Sequence, residues 1–193
     1  FKKYVNKTAV SLFFTYGYIR APHTIFNNTY KVQPGHYIKI DIEKKKVENI
    51  KYWDVFDFYN KPKLKISEED ALKEVERLFV SAFQYRMVSD VPVGLFLSGG
   101  YDSSVVAAIL QSNSTQKIKT FTIGFNEKKW NEAPEAKKIA EHLGTEHNEY
   151  YCTIKEAQDI FPRLADIYDE PLGDHSGIPT TLEAEIITQS CSS

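Results

Sequence analysis

Cysteine is scarce in this 193-residue chain, with Cys152 and Cys191 the only two. Two thiols do not make a disulfide framework, so a small secreted scaffold is excluded and a reducing cytoplasm is the expected setting. No apolar run approaches the roughly 18–20 residues that cross a bilayer, and no basic-then-apolar signal opens the chain, so no membrane association is expected. Nor does one sign of charge dominate. Lys and Arg number 24 against 26 Asp and Glu, a net charge of −2, which argues against a surface built to neutralise nucleic-acid phosphates. Internal repeats and low-complexity tracts are missing as well. What remains, 42% hydrophobic and 26% charged, is an ordinary globular composition.

The length allows one domain or parts of two. Phe1 rather than Met opens the chain, and Gln189-Ser190-Cys191-Ser192-Ser193 follows a helix start with no stop signal. The sequence therefore reads as an excerpt of a longer protein. Residues 8–18 predict a short helix before the Ala21-Pro22 turn. Tyr37–Ile42 and Val47–Tyr52, around a charged turn at Glu43–Lys46, predict a β-hairpin. Polar, aperiodic residues near Asn60–Lys63 mark a boundary, giving domains over 1–60 and 61–193.

Beyond the boundary the rhythm changes. Ser67 is placed to cap a helix whose apolar positions Leu72, Val75, Leu78, Phe79, Ala82 and Phe83 recur at helical spacing. Val91–Leu97 predicts a buried strand, Ser104–Leu110 a helix, Ile118–Phe125 a second strand, Pro134–Leu143 a helix stopped by Gly144, His147–Cys152 a third strand, and Lys155–Tyr168 another helix. Strands alternating with helices predict an α/β fold, a parallel sheet with helices on both faces.

The Gly-Lys-Ser/Thr ending of the nucleoside-triphosphatase loop occurs nowhere, nor does GxGxxG. Instead a buried strand runs into Ser98-Gly99-Gly100-Tyr101-Asp102-Ser103-Ser104 and then a helix. Glycines without a Cβ let backbone N–H groups approach a phosphate closely, and the helix start adds unpaired donors and a positive dipole end. Ser98, Ser103 and Ser104 add hydroxyls, at the strand end where open α/β sheets bind ligands. A carboxylate beside a phosphate is repulsive unless a cation lies between them, so Asp102 is read as a Mg²⁺ ligand, as a helix N-cap, or as both.

The full Ser-Gly-Gly-x-Asp-Ser-Ser segment resembles the pyrophosphate loop of the N-type ATP pyrophosphatases. Its flanks resemble the glutamine-hydrolysing asparagine synthetases over nearly the whole chain. Gly17–Phe26 and Lys31–Tyr37 look like the end of that family's glutaminase domain, Thr120–Phe125 like its adenine-receiving strand, and Ala140–His147 like the helix and strand that follow. Asp169–Thr180 is similar to the family's substrate segment DEPxxDxSxIPT.

The resemblance implies an adenine nucleotide alpha hydrolase-like sheet preceded by a β-hairpin remnant of an Ntn-type glutaminase. It implies a ligase that uses ATP and Mg²⁺ to make an aspartyl adenylate from aspartate, releasing pyrophosphate, and ammonia from glutamine to give asparagine and AMP. By position, Ser98, Gly99, Gly100, Asp102, Ser103 and Ser104 would hold the phosphates, with Asp102 both catalytic and metal-binding. Leu97 and Ile123 would flank adenine or offer it backbone contacts; simple strand core is the plainer reading of their side chains. Tyr101 fills a variable position. A homodimer is the expectation for the full-length protein.

Several features depart from the family. No residue replaces the glutaminase's N-terminal cysteine, Cys152 and Cys191 reading as bystanders, and the second, acidic phosphate-side motif and a later lysine are missing. Leu182–Ser193 drifts from the family's aliphatic helix, so this chain alone is expected to be inactive. His23 and His36 read as structural, and His142 with His147 has poor zinc spacing. Asp169, Glu170 and Asp174 read equally as groups near Mg²⁺ or the aspartate amine and as a helix-terminating turn, and His175 as a substrate-loop contact or an ordinary loop histidine. A relative that adenylates another carboxylate, and a non-catalytic nucleotide-binding fragment, are the alternatives.

Overall fold

A computed structural model describes residues 2–127 and 131–191. In chain order the elements are α1 (Lys7–Tyr16), β1 (His36–Asp41), β2 (Lys46–Lys51), α2 (Val55–Tyr59), α3 (Glu68–Arg86), β3 (Gly94–Phe96), α4 (Tyr101–Ser112) and β4 (Lys119–Phe125). Then follow α5 (Ala133–Leu143), β5 (Glu146–Cys152), α6 (Ile154–Ile160), a 3-10 turn (Phe161–Arg163), α7 (Leu164–Ile167) and α8 (Gly177–Cys191). They form two units, Phe1–Lys65 with Leu164–His175, and Ile66–Arg163 with Ser176–Ser193.

In the first unit, Asn6 starts α1 by accepting the N–H groups of Thr8 and Ala9 at 3.0 and 3.3 Å, and Gly17, at φ +76°, ends it. The hairpin pairs β1 with β2 antiparallel, from His36 opposite Lys51 to Asp41 opposite Lys46. Its open end is closed by Gly35, whose carbonyl accepts the N–H groups of Tyr52 and Trp53 at 2.9 and 3.1 Å. Gly35 has φ +70°, and a Cβ there would lie 2.0 Å from the Trp53 carbonyl oxygen. Gly35→Ala therefore meets both a left-handed backbone and a clash with main chain, and is expected to cost about 2–4 kcal/mol. Urea unfolding of the two proteins measures it.

The second unit carries three parallel strands in the order β3-β4-β5. β4 is buried on both faces, as a central parallel strand must be: Thr120, Phe121, Thr122 and Ile123 are all below one-tenth exposed. On one face Leu95 joins Leu97, Ala107, Leu110, Ile118, Ala136 and Ala140, with Phe83, Val106 and Ile139 packed around them. Fully buried alanines let α4 and α5 lie close to the sheet. On the other face Gly94 meets the Phe121 ring and Ile187 of α8. The α/β parallel sheet with helices on both faces is thus present.

Two expectations need correction. The strand expected over Val91–Leu97 keeps only Gly94–Phe96, because Pro92 has no N–H to donate and β4 is its sole partner among the described residues. The helix expected over Lys155–Tyr168 breaks at Pro162 into α6, the 3-10 turn and α7. The apolar stripe of α3 is not core along its length. Leu72, Val75, Leu78 and Phe79 are exposed, and only its C-terminal part, at Phe83, joins the cluster.

Candidate active site

The loop of interest begins from a fixed point. The Leu97 N–H donates to the Phe121 carbonyl at 2.8 Å, and the buried Thr122 hydroxyl donates to the Leu97 carbonyl. Both backbone groups of Leu97 are therefore tied to β4 just before the chain turns, and its side chain is core. Sequence reasoning missed Thr122; its signal was a hydroxyl inside a run otherwise read as buried strand. Thr122→Val keeps the shape and removes the donor, leaving a buried carbonyl unpaired. The expected loss is about 1–3 kcal/mol of stability in chemical denaturation.

Three serines then shape the turn. The Ser98 N–H donates to Ser103 Oγ at 3.1 Å, and the Ser98 and Ser103 hydroxyls lie 2.9 Å apart. The Gly100 N–H donates to Ser98 Oγ at 3.2 Å, and Ser104 Oγ donates to the Gly100 carbonyl at 2.6 Å. Gly100 is the N-cap of α4, without a side-chain cap bond. The N-cap reading of Asp102 is thereby corrected: it lies inside the first turn, its carboxylate exposed. The N–H groups of Tyr101, Asp102 and Ser103 begin the helix and have no intrahelical acceptor. A Cβ on Gly99 would stand 3.1 Å from Glu135 Cβ, in the first turn of α5. Steric pressure from α5, which the sequence did not reveal, thus adds to the reasons for glycine.

Beyond the loop, β4 outruns β3, whose pairing stops at Phe96 with Phe121. The Phe121 carbonyl faces the β3 side, so the backbone of Ile123, two residues on, faces that side too. There the Ile123 N–H donates to Glu183 Oε1 of α8 at 3.0 Å. The Ile123 side chain itself is core, 7% exposed. Glu183 had no signal in the sequence, since it falls in the stretch that drifts from the expected aliphatic helix.

Burial lifts the Glu183 carboxyl from 4.5 to about 6, while the Ile123 N–H works the other way. A carboxyl raised in the fold stabilises fully below its unfolded value, and that contribution is lost as pH climbs through about 6. His147 runs in the opposite sense. Its Nδ1 lies 3.0 Å from Thr120 Oγ1, while Nε2 is buried and unpartnered among the described residues. Burial holds its pKa below 6.5, so its contribution is present above 6.5 and disappears as pH falls through the folded value. Stability curves of Glu183→Leu and His147→Gln should therefore lose slopes of opposite sign, the first between about pH 4.5 and 6 and the second below pH 6.5. Identical curves for either variant and the parent would contradict the assignment.

The remaining candidates lie on other elements. Glu170 pairs with Lys31, which also donates to the Ile19 carbonyl at 2.6 Å, all within the first unit. Asp169 follows two residues after α7 ends, in keeping with the turn reading. His36 Nδ1 lies 2.9 Å from the Pro34 carbonyl oxygen, and the His23 backbone forms a β-bridge with Tyr30. Cys152 is 3% exposed on β5 and its thiol is pushed up by burial, which makes it a poor nucleophile. The Cys191 side chain and residues 192–193 lie outside the described residues. An apolar cavity of about 200 Å³ lies at the other end of β3, lined by Phe83, Met87, Val93, Leu95, Val106 and Leu110.

Fold and loop together define a parallel α/β sheet with a serine- and glycine-built turn at the carboxyl end of β3. The chain belongs to the asparagine synthase family, whose model matches residues 74–192. It is 37% identical over 189 residues to "Putative asparagine synthetase (glutamine-hydrolyzing) 2" of Methanocaldococcus jannaschii, covering 96% of this chain and 35% of that protein. It is 30% identical to asparagine synthetase (glutamine-hydrolyzing) 1 of Bacillus subtilis, covering 91% of this chain and 27% of that one. An amidase, chry2, of Gibberella zeae is 30% identical over 85% of this chain and 26% of its own length. The chain therefore spans about a third or less of the relatives it matches. No helix among the described residues is long and apolar enough to cross a membrane.

Proposed function

We propose that the full-length protein is a glutamine-hydrolysing asparagine synthetase, and that this chain supplies the part of it that grips ATP. A carboxylate is a poor electrophile until one oxygen becomes a good leaving group, so the side-chain carboxylate of aspartate attacks the α-phosphorus of ATP, forming aspartyl-AMP and releasing pyrophosphate. Ammonia released from glutamine then attacks the aspartyl carbonyl, giving asparagine and AMP. The observation that carries this reading is the loop after β3, where Ser98, Ser103 and Ser104 brace a glycine turn against a helix start. Donors fixed before the reaction stabilise charge that grows on departing pyrophosphate without reorganising.

Mg²⁺ fits this set. It takes one or two protein carboxylates and completes its shell with phosphate oxygens and water. Asp102 offers one exposed carboxylate in the first turn of α4, and no group of three or more His, Cys, Asp or Glu among the described residues forms a protein cage. When bound, the ion would neutralise phosphate charge. Leu97 and Ile123 would lend backbone groups to adenine, their side chains serving the core.

The test is product analysis of the full-length protein supplied with ATP, aspartate and glutamine. AMP and pyrophosphate should appear together with asparagine; release of ADP would overturn the reading. The likeness to an amidase in Gibberella zeae favours a second reading, in which another carboxylic acid is activated. AMP formed with that acid and not with aspartate would select it.

A further inference from the structure

We propose that Glu183 is an internal competitor for the backbone donor that reads the nucleotide base, so that its carboxylate must leave Ile123 before adenine is seated. The inference rests on the nucleotide reading given above. Adenine presents a ring nitrogen that accepts and an amino group that donates, and a backbone N–H beside its own carbonyl matches that pair. At Ile123 these groups face the side where β4 has outrun β3. The N–H is already spent there, donating to Glu183 Oε1 at 3.0 Å.

A carboxylate is a stronger acceptor for that N–H than a neutral ring nitrogen. Its weakness is burial: a half-buried acid, lifted to about 6, is ionised at neutral pH at some cost. The two effects oppose, which leaves a contact firm enough to compete and weak enough to yield. A competition of about five- to tenfold in adenosine affinity is expected.

The experiment compares adenosine and inorganic pyrophosphate binding by the parent, Glu183→Leu and Glu183→Gln. Leucine frees the donor, so adenosine should bind about five- to tenfold tighter, with pyrophosphate affinity unchanged. Glutamine keeps an accepting oxygen and should stay within about twofold of the parent. In the parent, adenosine should also move the Glu183 carboxyl carbon and Ile123 amide resonances. Equal adenosine affinity in parent and leucine variant overturns the proposal, as does adenosine binding that leaves the Glu183 resonance in place. Failure of all three proteins to bind adenosine overturns it as well. Pyrophosphate binding then separates the causes: if it persists, only the Glu183 inference falls, and if it is lost, the nucleotide reading falls too.

Discussion

Asp102→Ala in the full-length protein is expected to lower aspartate-dependent AMP formation about a thousandfold while glutamine hydrolysis continues. The magnitude follows from what the residue is asked to do. A thousandfold is about 4 kcal/mol of transition-state stabilisation, within reach of one metal-held charge at a leaving group. The structural cost is far smaller. Asp102 is exposed in the first turn of α4, where a carboxylate contributes about 0.3–1 kcal/mol through the helix dipole. Melting should therefore move little, and the activity loss should greatly exceed any stability loss. Asp102→Asn keeps the shape without the charge and should resemble alanine in activity. AMP formation at the parent rate in either variant would remove the metal assignment, whatever the fold does.

The sheet was legible because its signals are local and repetitive. Ile118–Phe125 read as buried strand, and the structure gives Lys119–Phe125; Gly144, at φ +74°, ends α5 where a glycine stop was expected. Ser67 caps α3 by accepting the Asp70 N–H at 3.1 Å. Burial was less legible than the elements themselves. The α3 stripe has the spacing of a core helix, yet what covers a face is decided by chain far away in sequence. The same limit governs the site. Ser98 to Ser104 could be picked out because the residues that shape the turn are neighbours in sequence. Thr122, Glu135 and Glu183 act on that region from β4, α5 and α8, and nothing in their own neighbourhoods announces it.

Gly99→Val should damage activity and stability together, and its mechanism can be separated from a direct effect on phosphate. A Cβ at position 99 would already stand 3.1 Å from Glu135 Cβ, and valine adds two further carbons. The turn must then move away from α5, and the Ser98–Ser103 contact of 2.9 Å moves with it. Displacing donors by about 1 Å costs roughly a hundredfold in rate, and overpacking costs about 1–3 kcal/mol of stability. ATP-dependent AMP formation should therefore fall by at least about a hundredfold, with a visible drop in melting temperature. Glu135→Gly removes the opposing Cβ and, in the double variant, should return much of both losses. Alone it gives up only the exposed ion pair with Lys138, worth about 0–1 kcal/mol, together with the cost of glycine in the first turn of a helix. Glu135→Ala retains the Cβ and should rescue neither quantity. A double variant that regains stability but not activity would mean that the glycine's missing side chain is needed by the phosphate itself. One that regains neither would show that contact with α5 is not what position 99 must avoid.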